Sequence, residues 1–155
     1  MNEAKLQLLL NRAEISEVVT RYAMGMDLQD WKLFRSCLSD EVEADYSEAT
    51  GQPAATLKAN DFVAFIQGIL SIEGLRTQTL STNNAITIEG DRATCVSYYV
   101  AQHYLPKDSG SGEAFNVHGW YTDTLIQTAQ GWKISGVKVT VRWTTGNREV
   151  LGLKT

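Results

Sequence analysis

Ile15, Val18, Val19, Tyr22, Ala23 and Met26 recur at steps of three and four residues. That spacing is one apolar face of a helix, and it predicts a helix from about residue 3 to 26. Asp27 follows Ala23 by four residues, so it extends the apolar stripe and not the wet one. Helix C-termini carry negative partial charge, which makes an acid there unfavourable without a partner. Asp30 is placed to cap a second helix over 31–38, with Trp31, Phe34, Cys37 and Leu38 on its buried side. Residues 41–46 read as a short strand, and 49–58, with Gly51 and Pro53, as a loop. Phe62, Phe65, Ile66, Ile69 and Leu70 mark a third helix, capped by Asn60 and stopped by Gly74.

After Leu75 the period changes from helical to alternating. Segments 76–89, 92–105, 114–129 and 131–144 are rich in Thr, Val, Ile, Tyr and Trp and read as long strands. Tight turns at 89–91 and 129–131 and a longer, mobile loop at 107–113 join them as hairpins. Helices first and an antiparallel meander after predict a single α+β domain over 1–155. Three helices on a curved sheet make a cone with a pocket between the layers.

Alternation divides the strand residues into two faces. Thr79, Ser81, Asn83 and Ala85 share one; so do Ser97, Tyr99, Ala101 and His103; so do Tyr121, Asp123 and Leu125; and so do Val137, Val139, Val141 and Trp143. Neither face is polar throughout. One is expected to pack on helices and line the pocket, and part of the other to meet a second subunit. A bulge would invert any of these assignments.

Composition removes several classes of function. The chain has 155 residues, 43% apolar and 21% charged, with net charge −4. The basic residues form no run, which argues against nucleic acid and anionic membranes as partners. No apolar run approaches a bilayer's width, and the first residues lack the features of a signal peptide, so a cytoplasmic location is expected. Cys37 and Cys95 stand apart within regular patterns and read as buried thiols. His103 and His118 have no partner at ligand spacing, so no metal site is expected.

The motifs Asp27-Leu-Gln-Asp-Trp, Asp45-Tyr46, Arg76-Thr-Gln-Thr79 with Asn83, Gln102-His103-Tyr104, Gly131-Trp-Lys-Ile and Arg142-Trp143 follow one another in order. In this the chain resembles the SnoaL-like branch of the nuclear-transport-factor-2-like superfamily, over roughly residues 10–145. Within it the chain is most similar to scytalone-dehydratase-like proteins. The resemblance implies a helix-backed cone and a pocket holding an aspartate, two histidines and two tyrosines. The aspartate falls on Asp27, one tyrosine on Tyr46 and one histidine on His103. The other tyrosine falls on Met26 and is lost, and the second histidine, the central base of such relatives, is Thr79 here. Asn83 is kept.

Acid–base chemistry of this kind needs a base for a carbon-bound proton and an acid for the leaving group. A histidine oriented by a carboxylate can serve as both. Asp27 and His103 are therefore the catalytic candidates. Tyr22, Tyr46, Thr79, Asn83, Tyr99, Tyr121, Asp123 and Trp143 are the candidates for contact with substrate. Asp27 can equally be a turn residue, and His103 a strand-end histidine. Arg142 is a weaker candidate, and His118 is left out. Three functions follow. One is a cofactor-independent lyase or isomerase acting on a small cyclic, aromatic or polyketide-like substrate. Another is a non-catalytic binding module, and the third an accessory subunit. An Asp27–His103 contact in a closed pocket points to the first, and a wide pocket without paired ionisable groups to the second. A broad exposed apolar face unsatisfied by self-association points to the third. A homodimer or homotrimer is expected.

Overall fold

In a computed structural model, residues 2–107 and 110–153 are described. Helix α1 (Glu3–Asp27) is followed by α2 (Trp31–Ser36), β1 (Leu38–Asp45), α3 (Ser47–Thr50), β2 (Ala55–Lys58) and α4 (Ala59–Leu70). Strands β3 (Arg76–Glu89), β4 (Arg92–Pro106), β5 (Gly112–Thr128) and β6 (Gly131–Gly146) form the meander, and a 3₁₀ turn (Arg148–Leu151) comes after it. All six strands lie in one unclosed sheet, ordered β2-β1-β6-β5-β4-β3. Pairing is antiparallel except between β1 and β6, where Leu38 lies beside Ile134. No helix among the described residues is long and apolar enough to cross a membrane.

The buried stripe of α1 is Ile15, Val18, Val19, Tyr22, Ala23 and Met26, as the spacing predicts. Asp30 caps α2 by accepting from the Leu33 amide at 2.9 Å. Gly25 has a steric task. A Cβ there would lie 2.8 Å from the backbone N and Cα of Phe34, so α2 crosses α1 at backbone contact. Alanine at 25 should gain helix propensity and lose more through overpacking. Gly25→Ala is expected to lower stability by about 1–3 kcal/mol, measured as a drop in denaturant midpoint.

Several local expectations are corrected. The first strand begins at Leu38, and the stretch read as a loop over 49–58 holds part of α3 and the whole of β2. The pairing of β2 with β1, Val42 opposite Leu57, supplies a partner that the polar sequence does not advertise. Asn60 does not cap α4; Lys58 holds that place without a side-chain bond, and Asn60 Oδ1 accepts from Arg35 Nε at 3.0 Å. α4 ends at Leu70, and Gly74, at φ 77°, belongs to the turn before β3. The mobility expected of 107–113 falls partly on residues 108 and 109, outside the described residues.

The register also shifts between Thr124 and Leu125 and between Leu38 and Glu43, and two further bulges reset the faces that carry candidate residues. The β3–β4 register shifts between Thr82 and Ala85, and Asn83 takes the left-handed conformation at φ 58°. Before the shift Thr77, Thr79 and Ser81 face inward; after it Ile86 and Ile88 do. Asn83 and Ala85 are exposed, so neither shares the inner face with Thr79. The second shift lies between His118 and Gly119, where β6 inserts an extra residue at Arg142. Trp143 is thereby turned outward, 57% exposed, and stacks on His118 at 4.7 Å between ring centroids. It is not a pocket wall.

Candidate functional site

The inner face and the helices form a half-open cavity of about 80 Å³. It is lined by the ends of α1 and α4, by Tyr46, Ala49 and Thr50, by inward residues of β3 to β6, and by Leu151 and Leu153. Most of its wall is aliphatic or aromatic. A larger open groove of about 1390 Å³ lies elsewhere, walled by mixed charges and hydroxyls such as Lys32, Asp40, Glu43 and Thr124. None of the candidate residues reaches it.

Asp27, the last residue of α1, turns its carboxylate onto β3. It accepts from the Thr77 hydroxyl at 3.0 Å, the Thr79 amide at 2.5 Å and the Thr79 hydroxyl at 3.1 Å. These donors answer the unfavourable dipole at the helix end. Position 79 thus serves as a donor to Asp27.

His103 is 8% exposed and stacks on Phe115. Its Nδ1 lies 3.0 Å from the Phe115 carbonyl. A carbonyl can only accept, so Nδ1 carries the hydrogen and Nε2 keeps a free lone pair. Burial lowers the His103 pKa from its ordinary 6.5, more than the Phe115 carbonyl and the Asp27 charge raise it. The ring is therefore neutral at pH 7. Asp27 acts on it through its field, since the carboxylate's hydrogen bonds go to the two threonines.

Tyr46, Tyr99 and Tyr121 line the cavity, with Tyr22 buried behind them. The Tyr22 and Tyr46 hydroxyls are 2.5 Å apart. Tyr99 and Tyr121 stack at 4.4 Å, and Tyr22 meets Tyr121 edge-on at 6.2 Å. Burial raises the pKa of all four, so each remains a phenol able to donate. Asp123, behind them, is 1% exposed with no partner for Oδ1 among the described residues. Desolvation raises its pKa to about 8, so it is mostly a neutral acid at pH 7.

Of the sequence candidates, Asp27, Tyr46, Thr79, Tyr99, His103 and Tyr121 line one cavity. Tyr22 and Asp123 lie outside its lining and buried, while Asn83 and Trp143 are on the exposed surface. Thr77 and Phe115 were missed. Thr77 had a signal, two residues before Thr79 on the same face; the Phe115 carbonyl had none, because it acts through strand pairing with His103. No group of three His, Cys, Asp or Glu suited to a metal occurs among the described residues.

A curved, unclosed sheet backed by N-terminal helices and holding a pocket is the architecture of the nuclear-transport-factor-2-like superfamily. Within it the chain belongs to the SnoaL-like family, whose domain model matches residues 7–138. It is similar to the crystal structure of the Kfla4162 protein from Kribbella flavida, at 32% identity and TM-score 0.79, covering 89% of this chain and 95% of that one. Its fold also matches a provisionally assigned scytalone dehydratase from Novosphingobium aromaticivorans, at 18% identity and TM-score 0.76, over 90% and 89% of the two chains. The hexachlorocyclohexane dehydrochlorinase LinA-type3 from Novosphingobium barchaimii matches at 16% identity and TM-score 0.70, over 97% and 99%. No curated protein sequence matches the chain.

Proposed function

We propose that the protein is a cofactor-independent, dehydratase-like lyase or isomerase acting on a small cyclic or aromatic, polyketide-like molecule. The observation that carries this reading is the Nδ1–Phe115 hydrogen bond, which leaves the His103 Nε2 lone pair free in a largely apolar cavity. Nε2 takes a proton from carbon. The electron pair of that C–H bond moves to the adjacent carbon or to a conjugated oxygen. The field of Asp27 favours the imidazolium so formed, and Tyr46 donates to the oxygen on which charge develops. The imidazolium then returns its proton, to a departing hydroxyl in a lyase or to another carbon in an isomerase. The dehydratase and dehydrochlorinase among the structural neighbours are eliminating enzymes by name, which supports the reaction class.

The test is incubation with cyclic β-hydroxy ketones in D₂O, followed by NMR and mass spectrometry. Deuterium exchange or loss of water that disappears in His103→Gln is the expected result. Ligands that raise the melting temperature but neither exchange nor eliminate would instead support a binding module. The saturation of Asp27 by Thr77 and Thr79 favours that second reading. A homodimer or homotrimer completes the proposal. Leu80, Val100, His118 and Trp143 lie in register across the outer face, with Tyr98 and Trp120 in the next row, and such an aromatic surface suits a second copy.

A further inference from the structure

Threonine and tyrosine hydroxyls stand in the wall of the cavity, and most of them are already committed. Thr50 donates to the Tyr46 carbonyl at 3.0 Å. Thr77 and Thr79 donate to the Asp27 carboxylate. The Tyr46 hydroxyl is paired with that of Tyr22. The Tyr99 hydroxyl has no partner among the described residues, but it is sealed within the protein, so nothing that enters the cavity can reach it. Tyr121 differs from all of these. Its hydroxyl has no partner among the described residues either, yet it is not one of the sealed, unpaired atoms, so it opens on the cavity that its ring lines.

The ring that carries this hydroxyl is held in place. It stacks on Tyr99 at 4.4 Å and meets Tyr22 edge-on at 6.2 Å. Its backbone lies between β4 and β6, opposite Ser97 and Val139. Burial keeps the hydroxyl protonated, and the Tyr46 hydroxyl is near enough to raise its pKa further. Tyr121 is thus a donor fixed before any ligand arrives, and little ordering is left to be done on binding. A ligand that fills the cavity displaces water from this hydroxyl. A molecule with no acceptor leaves it unpaired, whereas one with an oxygen at that point replaces the lost bond.

We infer that Tyr121 determines specificity for ligands with a carbonyl oxygen, to which its hydroxyl donates beside that of Tyr46. The inference rests on the cavity being the ligand site of the proposed function, and adds a second donor to the substrate's oxygen. It involves no proton transfer by Tyr121.

Acetophenone and α-methylstyrene have nearly the same shape and differ in a carbonyl oxygen against a methylene. Their affinities are measured by ligand-observed NMR titration of the unaltered protein, Tyr121→Phe and Tyr99→Phe; both variants keep the stacked rings. In Tyr121→Phe acetophenone is expected to bind about tenfold more weakly, the equivalent of one hydrogen bond, with α-methylstyrene unchanged. Tyr99→Phe should alter neither. Infrared spectra of acetophenone labelled at the carbonyl carbon give an independent reading. Hydrogen bonding lowers the carbonyl stretch, and part of that lowering should vanish in Tyr121→Phe. Acetophenone affinity unchanged in Tyr121→Phe, an equal loss for both probes, a carbonyl stretch that does not move, an equal loss in Tyr99→Phe, or no binding of either probe at millimolar concentration would each overturn the inference. Absence of exchange and elimination with this binding pattern intact would count against the lyase reading alone.

Discussion

Asp123→Asn is expected to cross the unaltered protein in stability as pH rises, falling below it near pH 4 and standing above it at pH 8. Asp123 holds its proton in the fold up to about pH 8, whereas its ordinary pKa is 3.8. Between these values the unfolded chain has lost the proton and the native state has not. Stability from this group is therefore complete below 3.8 and is lost as pH rises toward 8. The loss is about 1.4 kcal/mol per pH unit, or on the order of 4 kcal/mol by pH 7. Asparagine carries no such dependence, but buries an amide at about 1–3 kcal/mol. The groups facing Asp123 are the Tyr22, Tyr46 and Tyr121 phenols and the Cys95 thiol across the β4–β5 pair. All have raised pKa values and stay neutral through this window. Asp45 and Glu113, whose partners lower their pKa values, lose stability in acid and do so alike in both proteins. The difference between two denaturation series from pH 4 to 8 thus isolates Asp123. Parallel curves would show that the acid finds a partner or ionises in the fold.

The second large effect follows from the proposed reaction. His103→Gln should reduce turnover by about 10²–10⁴-fold, the range lost with a general base. Glutamine can still donate to the Phe115 carbonyl but has no basic nitrogen. The pH profile is the sharper test. Burial lowers the His103 pKa below its ordinary 6.5, so on the proposed reaction kcat/KM should fall in acid, with no limb centred above pH 7. A limb centred above pH 7 would assign the base elsewhere. Burial of the neutral ring also makes the fold lose stability as pH drops below 6.5 toward its lowered pKa. That loss should be absent from the glutamine variant.

The strands were legible because alternation and tight turns are local, and β3 to β6 lie within two residues of their expected ends. β2 was not, since Ala55–Lys58 is only four residues long, follows Gly51 and Pro53, and is a strand only because β1 pairs with it. The bulges were the main obstacle. One inserted residue at Arg142 moves Trp143 across the sheet, and nothing in the composition announces it. Asn83 gave a faint sign, because asparagine tolerates a positive φ better than most residues. The cluster around His103 was readable where it depends on alternation, as with Tyr99 and Ala101. It was not readable where one element docks on another. That Asp27 accepts from Thr77 and Thr79 depends on where α1 comes to rest.

The parallel pairing of β1 with β6 has a consequence for how the chain reaches this state. Hairpins β3–β4, β4–β5 and β5–β6 join sequence neighbours and can zip as they emerge from the ribosome. β1 can meet β2 early, but its other edge cannot close, because Leu38 must wait for Ile134. Val42 and Ala44, buried in the finished fold, lie on a strand whose β6 edge stays unpaired until residues 131–146 are made. Long-range closure of this kind slows folding and leaves strand edges open to other chains. The nascent N-terminal third is thus the stretch most in need of a chaperone.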